Sequence, residues 1–459
     1  MNMRTLPTAF LSFITCTSAY PQTSLPAQLD KRIADMRSAF TVPSVSVAVV
    51  KDGQTIYAKA FGDANIANQR AANVETRYAV GSISKQFTAA ALLIEQEQGK
   101  LSLDDKVSKY FPDLTRANEV TIRELLSHTS GYEDYAPQDY LIPEWTKPTT
   151  ADAILDHWAK KPLNFDPGTR WQYSNTNYVL AGRILEKVSG QQLLPFLQEH
   201  FFQPFGMRSA GDCDVRQSAD ASAYTRYALG PPRPVGREGS GWYFAAGELC
   251  MTPLDLAKWD IAFLQKKIVS PRSYEEFTRE VKLKDGKPTH YALGLGIGSS
   301  QGVPMISHSG EVSGFLASNA VFPTKQVAVV VLTNEDGVNL IGPLTDQISS
   351  LLLNPESSAQ EKRDADVRSI LEQLQEGRID RSLFTSNANE YFGDTALKDY
   401  KDSLAPLGKL NLLERRAESL RGGMTHLSYR AHFERDTVGL NIYVLPDGKF
   451  EQFIVEEII

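Results

Sequence analysis

Residues 78–94 read YAVGSISKQFTAAALLI, an extended segment that turns into an almost wholly apolar helix. Ser82 and Lys85 stand three residues apart in it, and positions i and i+3 share one face of a helix. The Lys85 amine is therefore expected beside the Ser82 hydroxyl. Ser82 falls in the first turn, where free backbone N–H groups and the helix dipole stabilise negative charge. The pattern favours a nucleophilic serine; the alternative is an N-cap serine followed by an exposed lysine.

Two later stretches contain the other groups that a serine nucleophile needs, namely a base, an oxyanion site and a proton carrier for the leaving group. Tyr173 and Asn175 place a phenol and an amide two residues apart on a predicted loop before a helix. His308 and Gly310 belong to a His-Ser-Gly sequence on a predicted late strand, where the glycine lets a substrate backbone come close. Each motif alone is weak, because a packed tyrosine or a turn histidine explains it equally well.

The three motifs, in this order along the chain, resemble those of the serine β-lactamase and penicillin-binding-protein superfamily. The resemblance is closest to its class C-like branch, which also contains D-alanyl-D-alanine carboxypeptidases, D-aminopeptidases and esterases. The sequences LLSHTSG at 125–131 and TPLDLA at 252–257 add to it. It covers about residues 27–353, and it implies a serine hydrolase that forms an acyl-enzyme and uses neither a metal nor another cofactor.

The resemblance also implies roles for individual residues. Ser82 would be the nucleophile, Lys85 its proton acceptor, and Tyr173 the general base that activates the deacylating water. Because free lysine and tyrosine are both protonated at neutral pH, burial or a neighbouring cation would have to lower their pKa values. Asn175, His308 and Gly310 would bind the substrate. The backbone N–H groups of Ser82 and Glu311 would form the oxyanion hole.

His308 departs from typical class C β-lactamases, in which a lysine at the matching position binds the substrate carboxylate. A histidine is mostly neutral at pH 7 and would attract that carboxylate less. Esterases and D-peptidases of the family often have a histidine there. We therefore expect hydrolysis of an ester or of a D-amino-acid peptide or amide. The alternatives are a class C-like β-lactamase and a protein that binds penicillin or peptidoglycan fragments without turnover.

A second serine motif, GSSQG at 298–302, matches the Gly-x-Ser-x-Gly nucleophile elbow. That elbow requires a strand, a sharp turn and a helix. A strand-like sequence follows here instead, so Ser300 is predicted to lie in a hairpin turn. His128 is interpreted as a structural residue at a helix end near the cleft. The histidines do not have the spacing of metal ligands, and no metal site is predicted.

Secondary-structure patterns predict an α/β (α+β) catalytic region with strands at both of its ends and helices between them. The simplest arrangement is an antiparallel sheet built from both ends and flanked by helices, with an inserted helical subdomain. The predicted strands are 45–51, 54–61, 291–297, 305–308, 315–322 and 327–333, and the predicted helices include 27–40, 82–98, 121–128, 179–188 and 341–353.

Four segments are predicted along the chain. Residues 1–19 have the basic start, apolar stretch and small-residue end of a secretory signal peptide. Residues 20–355 form the β-lactamase-like domain, and the polar segment 356–364 is a linker. Residues 365–459 combine helices with an antiparallel meander and form a small α+β domain that resembles the cystatin-like folds typified by nuclear transport factor 2.

The 459 residues carry a net charge of −7 and no basic run, which argues against nucleic acid or an anionic membrane as a partner. No segment after the signal peptide is apolar for long enough to cross a bilayer. We expect an exported protein, periplasmic or secreted, that acts on a small-molecule substrate. The C-terminal domain either covers part of the catalytic domain, which we favour, or mediates self-association. Export would permit a bridge between Cys213 and Cys250, but their pairing stays open.

Overall fold

The computed structural model describes residues 24–138, 140–215, 217–353 and 358–457, without the side chains of 358–362. The predicted signal peptide lies outside these residues. The α-helices are α1 Leu25–Phe40, α2 Ser84–Glu97, α3 Ile122–Leu126, α4 Ala151–Ile154, α5 Asn175–Ser189, α6 Leu193–Leu197, α7 Phe244–Gly247, α8 Pro253–Leu264, α9 Pro271–Thr278, α10 Ile341–Leu353, α11 Ser358–Gln375, α12 Ser386–Tyr391 and α13 Asp394–Leu404. The strands are β1 Ser44–Lys51, β2 Gln54–Asn65, β3 Arg70–Ala71, β4 Tyr78–Ala79, β5 Gly211–Asp212, β6 Tyr224–Thr225, β7 Arg233–Pro234, β8 Leu249–Met251, β9 Gly296–Ser300, β10 Val303–Val312, β11 Phe315–Phe322, β12 Val327–Thr333, β13 Leu410–Arg421, β14 Met424–Phe433, β15 Thr437–Val444 and β16 Phe450–Glu457.

The central sheet joins the two ends of the catalytic region, as predicted. Its seven antiparallel strands run in the order β3-β2-β1-β12-β11-β10-β9. β1 and β12 pair from Val45 opposite Thr333 to Lys51 opposite Val327. Their alternate residues enter two different cores: Val49 packs with α1 and α10, whereas Val50 packs with the helices around α2. Both strands are buried on both faces, which explains their continuous runs of β-branched residues.

Helix α2 lies at the centre of the helical layer and is buried around most of its circumference. It starts at Ser84, and a 3-10 turn over Gly81–Ile83 comes before it. Ser82 therefore lies in this 3-10 turn and not in the first α-helical turn that the sequence predicts. Gly99 follows the helix with φ 73°, a left-handed conformation that glycine adopts without strain.

A buried polar network fastens α2 to α8 and β11. The Trp259 indole N–H donates to Gln86 Oε1 at 2.7 Å, and the Gln86 amide donates to Asn319 Oδ1 at 3.2 Å. Asn319 Nδ2 in turn lies 2.8 Å from both carboxylate oxygens of Asp260. Buried polar groups that are fully hydrogen-bonded specify one arrangement of the elements they join. The network therefore fixes the helix that carries Lys85 against the sheet.

The prediction of a strand at 291–297 is wrong in position. Strand β9 begins only at Gly296, where its regular pairing with β10 starts. Ser300 pairs with Val303, and the turn between them has positive φ values at Gln301 and Gly302. Ser300 is thus the last strand residue before a tight hairpin turn, and the strand-turn-helix geometry of a nucleophile elbow is not present at this serine. The strands predicted at 315–322 and 327–333 have the same bounds as β11 and β12.

The C-terminal domain is a four-stranded antiparallel sheet, β13-β14-β15-β16, packed on helices α11 to α13 around its own apolar core. Helix α11 begins at Ser358, inside the segment 356–364 that the sequence predicts as a polar linker. Strand β13 was not predicted, since beyond Leu412 it is mostly exposed and charged and has no alternating apolar pattern. Leu412 packs into the core formed by α1 and α10, which joins this domain to the catalytic region.

Cys213 and Cys250 form a disulfide whose Cα atoms are 4.9 Å apart. Cys250 lies on β8, and this strand pairs with β5 on one side and with β4 on the other. Because β4 leads directly into the turn that carries Ser82, the bridge supports the entry to that turn. Among the described residues, no helix has the length and hydropathy to cross a membrane.

Candidate active site

Ser82 and Lys85 meet as the spacing predicts, because the 3-10 turn and the first turn of α2 present them on one face. Lys85 Nζ donates to Ser82 Oγ at 2.8 Å, to Asn175 Oδ1 at 2.8 Å and to the Ala246 carbonyl at 2.7 Å. A lysine ammonium has three N–H donors, and these three acceptors use all of them. The amine is therefore fixed in direction as well as in position.

Lys85 is fully buried, with 0% of its surface exposed. Burial disfavours the charged form and lowers the pKa of the Lys85 amine to about 7, although the negative charge of Asp134 opposes the shift. The direction is the one that the sequence-based hypothesis requires. Near neutral pH a large fraction of Lys85 is a neutral amine, 2.8 Å from a hydroxyl whose proton it can accept.

Tyr173 lies beside the same pair, but its pKa shifts in the opposite direction from the one predicted. Burial raises the pKa of the Tyr173 phenol, and its hydrogen bond with Ser82 offsets only part of this. The sequence-based prediction required a neighbouring cation, and the one found beside Tyr173 is Lys85, whose Nζ lies 4.9 Å from the centre of the Tyr173 ring. That amine is itself only partly charged near pH 7. Tyr173 is therefore a protonated phenol that can donate and relay a proton.

Asn175 is the first residue of α5 and not a loop residue, and a carboxylate holds it in place. Asp134 Oδ1 accepts from the Asn175 backbone N–H at 2.9 Å, and Asp134 Oδ2 accepts from Asn175 Nδ2 at 3.3 Å. Because the amide nitrogen faces Asp134, the amide oxygen faces Lys85. Asp134 was not predicted as a site residue, and the only signal for it is its place shortly after the LLSHTSG sequence.

His308 lies at the wall of the site, and the protein uses both of its ring nitrogens. Nδ1 donates to the Ser309 carbonyl at 2.5 Å, and Nε2 accepts from the Tyr291 hydroxyl at 2.7 Å. Burial lowers the pKa of His308 to about 4, and the positive charge of Lys85 lowers it to a smaller extent. The imidazole is therefore neutral at neutral pH, as expected from the sequence. The Ser309 carbonyl, which can only accept, fixes the tautomer, and Tyr291, which then donates to Nε2, was not predicted.

Gly310 is required by the protein's own backbone, and its room for a substrate stays a prediction. A Cβ atom at Gly310 would lie 1.9 Å from the Val80 carbonyl oxygen. Reciprocally, a Cβ atom at Gly81, where φ is +51°, would lie 2.8 Å from the Glu311 nitrogen. The two glycines let the turn carrying Ser82 lie directly against β10. This contact places the backbone at Ser82 next to the backbone at Glu311.

These groups open into a cleft of about 530 Å³. Ser82, Tyr173, Asn175, His308 and Glu311 all line it, whereas Gly310 lies behind the lining. The lining residues from the region 132–170 include the aromatic side chains of Tyr135 and Trp145.

The charged side chains that line the cleft are all carboxylates, and no lysine or arginine of the described ranges lines it. They are Asp134, Glu238, Glu311 and Asp336. Ser300, by contrast, lies at the end of the edge strand β9, donates to Asp346 and is not a lining residue. Within the described part of the chain, no group of three or more His, Cys, Asp or Glu residues is arranged to hold a metal ion.

Comparison with known proteins identifies relatives of the catalytic region. A family model described as Beta-lactamase matches residues 29–346. The chain is 27% identical over 321 residues to the putative penicillin-binding protein PbpX of Bacillus subtilis (strain 168), covering 67% of this chain and 75% of that protein. It is 29% identical over 322 residues to a D-aminopeptidase of Cereibacter sphaeroides, covering 67% of this chain and 60% of that protein.

Solved structures extend the likeness in fold. The octameric penicillin-binding protein homologue from Pyrococcus abyssi has a TM-score of 0.64 and 23% identity, and the match covers 93% of this chain and 99% of that one. A D-stereospecific amidohydrolase from Streptomyces sp. has a TM-score of 0.61 and 25% identity, with 70% and 98% covered. The first likeness extends beyond the family match, so the fold similarity reaches into the C-terminal domain.

Proposed function

The chain belongs to the β-lactamase family, and from this premise we propose that it is a serine hydrolase in which Ser82 forms an acyl-enzyme. The observation that carries the proposal is the buried Lys85 amine, whose pKa is about 7 and which lies 2.8 Å from Ser82 Oγ. An amine that is half neutral at physiological pH can accept the serine proton without a large free-energy cost.

In the proposed reaction, neutral Lys85 takes the Ser82 proton as Oγ bonds to the substrate carbonyl carbon. The backbone N–H groups of Ser82 and Glu311 stabilise the oxyanion that develops. The protonated Tyr173 phenol donates its proton to the leaving group as the scissile bond breaks, and the Lys85 ammonium restores that proton. In deacylation, water attacks the acyl carbon; Tyr173 accepts the water proton and passes its own to Ser82 Oγ.

We propose that the substrate is an ester or a D-amino-acid peptide or amide, with Asn175 binding its amide or carbonyl group. The neutral His308 offers no positive charge to a substrate carboxylate, and the four carboxylates of the cleft would repel one. A substrate with a free ammonium group would suit the same lining. The similarity to a D-aminopeptidase at 29% identity and to a D-stereospecific amidohydrolase at 25% supports this choice.

The test of the proposed function is covalent labelling. A fluorophosphonate reacted with the intact protein should modify Ser82, as mapped by peptide mass spectrometry, and the Ser300→Ala variant should label equally well. An adduct on Ser300, or none on either serine, would refute the acyl-enzyme proposal.

Substrate class is tested separately with p-nitrophenyl esters, D-amino-acid anilides and nitrocefin. We expect turnover of the first two to exceed that of nitrocefin. Preference for nitrocefin would favour a class C-like β-lactamase. A stoichiometric burst with no steady-state turnover on any substrate would favour a penicillin or peptidoglycan-fragment binding protein.

We further propose that the protein is exported. The disulfide between Cys213 and Cys250 supports this, because such bridges persist mainly in oxidising compartments. The expected signal sequence at 1–19 agrees with it. Cell fractionation with a tagged full-length chain is the direct measurement, and retention of the tag in the cytoplasm would contradict it.

Self-association through the C-terminal domain is also a proposal. Leu420 on β13 is 84% exposed and Tyr391 is 54% exposed, so this domain presents apolar surface. Sedimentation of the intact protein and of a Leu420→Glu variant tests it. A monomer at micromolar concentration would contradict the proposal.

A further inference from the structure

His128 holds the chain on both sides of Tyr173. The backbone N–H of Gln172 donates to the His128 carbonyl at 3.0 Å, and the backbone N–H of Ser174 donates to His128 Nδ1 at 3.2 Å. One residue thus accepts from the neighbours before and after the tyrosine. The backbone of Tyr173 is thereby fastened to the segment that follows α3.

These donors determine the tautomer of His128. A backbone N–H can only donate, so Nδ1 must be the acceptor; Asn177 Nδ2 also donates to it at 3.4 Å. The ring proton is therefore on Nε2, which is buried and has no hydrogen-bond partner among the described residues. Protonation at Nδ1 would remove the acceptor for Ser174, and burial holds the pKa of His128 well below its usual value. His128 is therefore a neutral acceptor at the pH of catalysis.

The His128 ring also supports the Tyr173 ring. The ring centroids are 4.3 Å apart with a 37° angle between planes, closer than the His128 contacts with Tyr178 at 5.3 Å and Tyr291 at 5.0 Å. His128 itself is fully buried and has φ 59°, a left-handed backbone conformation. Such a conformation is uncommon for a residue other than glycine, although histidine, asparagine and aspartate adopt it more often than most.

From these contacts we propose that His128 is a positioning residue for Tyr173, which holds the phenol at Ser82 through ring packing and through the hydrogen bonds at residues 172 and 174. The inference rests on the proposed function, in which Tyr173 relays protons to and from Ser82. A histidine that only filled the core would contribute to stability and leave the rate of each folded molecule unchanged. A positioning residue lowers kcat and changes KM little, because the tyrosine is needed in the transition state.

The experiment is a double-mutant cycle of His128→Asn and Tyr173→Phe, with kcat expressed per fluorophosphonate-reactive site so that unfolded protein is not counted. Asparagine tolerates the left-handed backbone and removes the ring. Tyr173→Phe should lower kcat on the order of 10²-fold or more. His128→Asn alone should lower kcat about tenfold with KM within about threefold, yet change kcat less than about twofold in the Tyr173→Phe background. A second cycle uses His128→Phe, which keeps an aromatic ring against Tyr173 but removes the Nδ1 acceptor for the Ser174 N–H. It tests the hydrogen bond separately from the ring packing.

His290→Asn is the matched control, because His290 has φ 56° but its side chain is 76% exposed. It should leave kcat unchanged. The inference would be overturned if His128→Asn lowered kcat by the same factor in the Tyr173→Phe background as in the wild type. It would also be overturned if His128→Asn reduced only the number of reactive sites and left kcat per site unchanged. Unchanged turnover in Tyr173→Phe alone would instead refute the proposed role of the tyrosine, and the inference with it.

Discussion

The catalytic region and the C-terminal domain bury different kinds of side chains. The cleft and the helices behind it contain buried polar or ionisable groups such as Lys85, His128, Asn177 and His308. In the C-terminal domain, Thr385 is the only buried polar residue of the described ranges, and the rest of the interior is aliphatic or aromatic. Both regions pair antiparallel strands with helices, so the fold class does not explain the difference.

Burying a polar group costs free energy unless it is hydrogen-bonded, and burying an unpaired charge costs more. The catalytic region buries polar groups where burial shifts a pKa, as for Lys85 and His308, or where a hydrogen bond fixes the direction of a side chain, as for Asn177. The C-terminal domain contains a cluster in which Arg415 and the Tyr429 hydroxyl donate to Asp364, but none of these residues lines the cleft. We therefore expect substitutions in the cleft to change the rate, and substitutions in the C-terminal domain to change stability.

The largest expected effect is that of Ser82→Ala, which removes the nucleophile. Turnover of a p-nitrophenyl ester should fall by at least about 10³-fold. The free energy of unfolding should change by less than about 1 kcal/mol, because the lost hydroxyl is a small group at the cleft surface. Ser300→Ala is the matched control and should retain full activity. Comparable losses in the two variants would contradict the assignment of the nucleophile.

The pH dependence of kcat/KM should follow Lys85. Its pKa is about 7, lowered from the ordinary value, so the amine is neutral and can accept a proton above that pH. Below it, kcat/KM should fall about tenfold per pH unit. His308 has a pKa of about 4 and remains neutral between pH 5 and 8. It should therefore cause no second change in kcat/KM over that range. A profile that is flat from pH 5 to 8 would show that Lys85 is not the proton acceptor.

His308→Lys should change substrate preference and leave the nucleophile intact. A fixed positive charge at this position would attract a substrate carboxylate, and about tenfold in kcat/KM corresponds to about 1.4 kcal/mol of interaction. We expect that gain for nitrocefin or another carboxylate-bearing substrate, with a neutral p-nitrophenyl ester as the internal control. An equal change for both substrates would mean that position 308 does not distinguish them by charge.

The residues of the candidate site could be predicted wherever the chemistry requires a particular residue type at a fixed spacing. Ser82 and Lys85 meet because helical geometry brings positions three apart together. Asp134 and Tyr291 were missed, since they act through contacts between segments distant in the sequence, and no spacing reports such contacts. The pKa of Tyr173 was predicted in the wrong direction because the depth of its burial, which outweighs its neighbours, depends on the whole fold.

The smallest expected effect on turnover comes from Leu412→Ala, in the strand that the sequence did not predict. Leu412 is 6% exposed and packs with α1 and α10, so its truncation leaves a cavity where the two domains meet. The free energy of unfolding should fall by about 2 to 5 kcal/mol, whereas kcat per fluorophosphonate-reactive site should stay within about twofold. Leu229→Ala is the matched control, because Leu229 is fully exposed and should change neither quantity. A large loss of kcat per reactive site in Leu412→Ala would mean that the C-terminal domain shapes the cleft as well as the stability of the chain.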